Sequence, residues 1–186
     1  MSTPPRQRAD ASKNRERIIT EARKLFSGTT HAASLEAIAR AAGIGIGTLY
    51  RHFPTKEALV EAVYRSELDV LDQEADALLA IHSSAEAMRR WMNSYAKFVA
   101  TKHAMHDALR IALTPRSGAG TETRTRINNS VAKFLEHGVR DGSLREGIRA
   151  DDLTLSLAGA VFAATAMADE GQVGRVLDLL MAGCKR

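Results

Sequence analysis

The sequence predicts an all-α fold of about nine helices, because apolar residues recur at helical spacing almost throughout its 186 residues. Strand signals are scarce, and only 4 prolines interrupt the chain. No hairpin-type Asn-Gly or Asp-Gly lies between alternating apolar runs, since Asp141-Gly142 follows a helical pattern. At this length the chain is one long domain or two short ones, with room for a substantial core. No internal repeat or low-complexity segment is present.

The elements follow in order. Residues 1–11 read as a disordered basic arm, after which Ser12 caps a first helix. That helix buries Ile18, Ile19, Ala22, Leu25 and Phe26, and Gly28 stops it. Ser34 caps a short second helix with Leu35, Ile38, Ala39 and Ala42 on one face, and Gly43 ends it. A third short helix is expected from Gly45 to His52, with Leu49 and Phe53 facing the core and Pro54 blocking its continuation. Thr55 then caps a helix carrying Leu59, Val63, Leu68, Leu71, Ala75 and Leu78. It reaches about Ala80, a rod of roughly 35–40 Å. Further helices are expected at Ala85–Thr101, at a shorter segment ending before Pro115, and at Glu122–Arg140. The stretch Arg116–Thr121 between the last two reads as flexible. Asp141-Gly142 closes a helix, and two final ones run over Asp151–Asp169 and Gly171–Cys184.

With 45% hydrophobic and 26% charged residues the composition is that of an ordinary globular protein. No apolar run is long enough to span a membrane, and the polar N-terminus lacks the apolar middle of a secretory signal, so a cytoplasmic location is expected. The single cysteine, Cys184, forms no internal disulfide and no cysteine-based zinc cluster. On its apolar stripe it reads as a small core residue. The charge is unevenly divided. Residues 1–65 hold 11 Lys/Arg and 6 Asp/Glu, a balance of +5, whereas the whole chain carries +4. The positive excess in the first third suits a polyanionic partner or a solvated basic face.

The stretch A-G-I-G-I-G-T-L-Y-R-H-F at residues 42–53 carries the most chemistry. Its G-x-G-x-G spacing matches neither a dinucleotide fingerprint nor a phosphate loop, no strand precedes it, and no lysine follows Gly47 until Lys56. Two steeply crossing short helices also need glycine, for a tight turn at positive φ. Gly43 then makes the turn of a helix-turn-helix. Gly45 and Gly47 open its second helix with bare backbone that another surface can approach closely. Thr48, Tyr50, Arg51, His52 and Lys56 follow as hydrogen-bond donors.

The segment S-L-E-A-I-A-R-A-A-G-I-G-I-G-T-L-Y-R-H-F-P-T-K-E-A-L-V resembles the DNA-binding domain of the TetR family of bacterial transcriptional regulators, over about residues 13–63. The resemblance implies a DNA-binding domain at 12–54 and an effector-binding and dimerisation domain at 55–186. It implies a repressor that binds a palindromic operator as a homodimer and is released by a small-molecule effector. It assigns Ile46, Gly47 and Arg51 to base edges. Thr48, Tyr50, His52, Lys56 and Ser34 go to phosphates, with Gly45 at the entry of the reading helix. For the middle bundle it implies an effector pocket, for which Trp91, Tyr95, Phe98, Met105, Leu109 and Phe134 are the candidate lining.

The last two helices offer a pairing surface. Residues 153–168 are apolar on nearly every side, which demands burial all round, and the end of a chain supplies few neighbours. Leu157, Val161, Ala164, Val173, Val176, Leu177 and Leu180 are the expected contacts with a second copy. The competing reading is an all-helical metal-dependent enzyme using His103, His106 and Asp107, which share a helix side at i, i+3 and i+4. No fourth ligand is evident, so no metal, no cofactor and no catalytic residue are expected.

Overall fold

A computed structural model describes residues 5–28, 34–104, 119–165 and 171–186, and side chains for 10–26, 34–101, 120–165 and 171–186. Among the described residues there are eight α-helices: α1 (Pro5–Gly28), α2 (Leu35–Ala41), α3 (Ile46–His52), α4 (Lys56–Ile81), α5 (Ser84–Ala104), α6 (Ala119–Arg140), α7 (Ala150–Thr165) and α8 (Gln172–Cys184). The only β-pairing among them is an isolated antiparallel bridge, Leu144 with Lys185. The helix expected before Pro115 and the end of the one expected to reach Asp169 lie outside the described residues.

Two helix starts differ from expectation. α1 begins at Pro5, so residues 5–11 are helical rather than a disordered arm. Proline suits a first helical position because its missing N–H would be unpaired there anyway. Ser12 lies inside α1 and donates to Glu16 Oε1 at 3.2 Å instead of capping. α6 begins at Ala119, so the end of the stretch expected to be flexible is helical too.

The described residues form two compact units. One runs to Ser66 and includes the last turn of α5 from Thr101. The other comprises Glu67–Ala100 and the described residues after Pro115. In the first unit, Ile18, Ala22 and Phe26 of α1 are buried with Ile38 and Ala39 of α2, Leu49 of α3, Phe53, and Leu59, Val63 and Tyr64 of α4. Thr55 caps α4, its Oγ1 accepting from Ala58 N at 3.1 Å.

In the second unit the buried core joins Leu68, Leu71 and Ala75 to Met88, Trp91 and Met92 on α5, Val131 and Phe134 on α6, Leu157 and Val161 on α7, and Leu177 and Met181 on α8. A ladder of polar contacts fixes α4 against α6. Arg126 pairs with Asp69 at 2.7 Å and Asp72 at 2.5 Å, and Lys133 with Asp76 at 2.5 Å. The first amides of α5 are capped from a distant loop: Ser84 N donates to Asp141 Oδ2 at 3.0 Å and Ala85 N to Ser143 Oγ at 3.2 Å. Gly138 permits a close approach nearby, because a methyl there would lie 2.3 Å from Leu144 Cδ1. No described helix is long and apolar enough to cross a membrane.

The apolar helix near the C-terminus has two faces, and the expected pairing residues fall mainly on the inner one. Leu157, Val161, Ala164 and Leu177 are buried within the chain itself, while Val173, Val176 and Leu180 are partly covered. Leu155, Phe162 and Leu179 stand outward, 66%, 58% and 73% exposed. The outward residues are thus other than the seven expected to pair. A helix apolar all round carries no sequence signal for which stripe the chain keeps for itself.

Candidate nucleic-acid interface

Ser34 opens α2 as the sequence suggests, its Oγ accepting from Ala37 N at 3.2 Å in extended N-cap geometry. Accepting that bond leaves the hydroxyl proton available to a further acceptor. α2 ends in a Schellman turn. Gly43 N donates to Arg40 O at 3.1 Å and Ile44 N to Ala39 O at 3.0 Å, while Gly43 stands at φ +63°. The positive φ required of the turn glycine is therefore present at Gly43.

Gly45 then caps α3 with no side-chain bond, so the first amides of α3 find no partner in a capping side chain. On the seven-residue helix, Leu49 and Phe53 are buried, 0% and 2% exposed. Gly45, Ile46, Gly47, Tyr50 and Arg51 are all exposed. Ile46 and Tyr50 are 38% and 45% exposed, so Tyr50 is not packed beneath the motif. Around Gly45 and Gly47 a methyl group would meet nothing within 4 Å. Thr48, His52 and Lys56 are half-buried. α3 thus exposes basic and apolar side chains with bare backbone at its leading end.

The other candidate residues are placed elsewhere. Trp91, Tyr95, Phe98 and Phe134 form one buried aromatic cluster. Trp91 lies 5.8 Å from Tyr95 and 5.6 Å from Phe134, and Tyr95 lies 6.3 Å from Phe98, centroid to centroid. The Trp91 Nε1–H donates to Leu71 O at 2.9 Å, so its polar edge is committed to α4. Met105 and Leu109 lie outside the described residues, as do His106, Asp107 and the His103 side chain. Among the described residues no three His, Cys, Asp or Glu side chains gather to hold a metal ion. Cys184 is buried, and burial pushes its thiol pKa up against the pull of Arg145.

Two arginines escaped the sequence reading. Arg17 donates to the Ala42 carbonyl at the end of α2. The Arg15 guanidinium lies 5.1 Å above the Phe53 ring, where α3 closes. Both sit among ordinary basic residues of α1, and nothing in their local spacing sets them apart.

Comparison with known proteins follows the same division of the chain. Residues 18–63 match the family model described as bacterial regulatory proteins, tetR family. Residues 83–186 match the C-terminal domain of SbtR-like transcriptional regulators. The fold is similar to a TetR transcriptional regulator from Streptomyces coelicolor (TM-score 0.81, 36% identity, 92% of this chain and 98% of that one). A TetR transcription regulatory protein from Mycobacterium vanbaalenii is also similar (TM-score 0.77, 27% identity, 97% and 99%). Among curated sequences, the HTH-type transcriptional regulator UidR of Escherichia coli strain K12 is 46% identical over 55 residues, 29% of this chain and 28% of its own length. An HTH-type regulator of Staphylococcus aureus strain USA300 is 45% identical over 64 residues, 34% of this chain and 35% of its own length. These sequence matches span about a third of the curated relatives.

Proposed function

The chain belongs to the TetR family of transcriptional regulators with a helix-turn-helix DNA-binding domain, and from that premise we propose a homodimeric, effector-released repressor of a palindromic operator. One observation carries the reading: α3 buries Leu49 while Ile46, Tyr50 and Arg51 stand in solvent beside the bare backbone of Gly45 and Gly47. Arg51, with Ile46 and Gly47, reads base edges, and its planar guanidinium suits a bidentate contact to guanine. Ser34, Thr48, Tyr50, His52 and Lys56 hold phosphates and fix the register. The DNA-binding domain is assigned to residues 12–54 and the effector-binding and dimerisation domain to 55–186. The protein works in the cytoplasm, where its operator is.

Two copies pair through α7 and α8. Leu155, Phe162 and Leu179 supply the apolar contact, and Gly159, exposed on the same side of α7 with open space beyond its Cα, allows close approach of the partner helix. Pairing places two α3 helices on half-sites about 34–36 Å apart or a multiple of that spacing. The aromatic cluster of Trp91, Tyr95, Phe98 and Phe134 supplies the apolar wall of the effector site, and the effector prefers the conformation whose α3 spacing no longer fits DNA.

The test is a mobility shift on the DNA upstream of the protein's own gene, run beside sedimentation. The expected result is one shifted species with two chains per site, and a Phe162→Glu protein that sediments as a monomer and no longer shifts. A wild-type protein that shifts no upstream fragment across a range of salt overturns the proposal.

A further inference from the structure

Two arginines of α1 contact the segments that flank the short helix α3. At its leading end the α2 carbonyls are nearly all accounted for. Ala39 O and Arg40 O accept from Ile44 N and Gly43 N, and Ala42 O accepts from the Arg17 guanidinium. A cation at a helix C-terminus is also favoured by the helix dipole. The Arg17 tip lies directly over the turn, since a methyl on Gly43 would meet Arg17 Nη2 at 2.9 Å. Only Ile44 separates Gly43 from Gly45, the N-cap of α3. At the trailing end Phe53 caps α3, its N–H bonded to Leu49 O, and Arg15 of α1 lies over its ring at 5.1 Å. A helix of this length spans roughly 10 Å, about two turns, and is marginal by itself, so its direction depends on what holds its ends.

We propose that Arg17, seconded by Arg15, is a positioning residue for DNA reading. It holds the turn before α3 at the angle that presents Arg51, and does so through Ala42 rather than by touching DNA. The inference rests on the DNA-reading function proposed for α3. Its chemistry separates it from a phosphate contact. A residue that neutralises a phosphate contributes to binding on any sequence and to the salt dependence, whereas one that aims the helix contributes only where base edges are read.

The experiment titrates wild type, Arg17→Met and Arg17→Lys with the upstream DNA fragment and with a random-sequence duplex of equal length, over several salt concentrations. Affinities are normalised to the active fraction. Amide hydrogen exchange is followed in the free proteins. Arg17→Met is expected to lose about tenfold in affinity for the upstream DNA, the scale of one charge-assisted hydrogen bond. Its affinity for the random duplex and its salt slope stay at wild-type values. Exchange at the Gly43 and Ile44 amides accelerates, and Arg17→Lys, which keeps a donor for Ala42 O, recovers most of the loss. Equal losses on both duplexes with a slope reduced by about 0.9 make Arg17 a phosphate contact and overturn the proposal. Unchanged exchange at Gly43 and Ile44 in Arg17→Met overturns it as well. A wild type that does not distinguish the duplexes overturns the functional reading instead, and the exchange result still reports on the clamp.

Discussion

A methyl group added at Gly43 meets two costs. The backbone stands at φ +63°, where an L-residue with a Cβ loses about 1–2 kcal/mol, and the new atom presses on Arg17 Nη2 at 2.9 Å. Gly43→Ala is expected to lower unfolding stability by at least that amount in urea titration. Gly47 is the opposite case. It lies within α3 with open space around it, so Gly47→Ala should stabilise the free protein by up to about 1 kcal/mol through helix propensity. The same methyl stands on the face assigned to base edges, and operator affinity should fall. Stability up and binding down in one variant is a signature that a structural role for Gly47 does not produce. The need for glycine at 43 is readable in sequence because a short-range turn requirement sets it. The Arg17 contact is not readable, because its acceptor lies 25 residues away and is a backbone carbonyl.

The helices themselves were largely legible, since apolar spacing and the caps Ser34 and Thr55 are local signals. The distant partners that hold some helix ends were not. α5 begins where Asp141 and Ser143 supply acceptors from across 57 and 58 residues. Burial pushes the Asp141 carboxyl up, but hydrogen bonds from Ser143 and Ser84 outweigh it and hold the group well below the usual carboxylate range. The unfolded chain binds this proton near pH 3.9, and the folded chain only at lower pH. The stabilisation is therefore complete above about pH 5 and is lost as pH falls through the carboxylate range. Asp141→Asn should be less stable than wild type at neutral pH and should show a shallower decline of stability between about pH 5 and pH 2, measured by chemical unfolding at each pH. An unchanged acid limb rules out this cap as its source.

At the scale of the whole molecule, charge and surface chemistry divide the labour along the chain. The basic excess lies in residues 1–65, with α3, and the exposed apolar side chains Leu155, Phe162 and Leu179 lie on the last two helices. Composition revealed the first of these. The second is not legible in composition, because residues 153–168 offer several apolar stripes and only packing decides which one turns outward. The central claim is that α3 reads sequence through Arg51. The most direct test is a paired titration of wild type and Arg51→Ala against the upstream operator and single-base-pair variants of it. The account predicts that wild type prefers the operator to random DNA by about a thousandfold or more. Arg51→Ala should lose about 1–3 kcal/mol on the operator and become indifferent to the base pair at one position in each half-site. Equal affinity of wild type for operator and random DNA, or an Arg51→Ala protein that discriminates every position as wild type does, would contradict it.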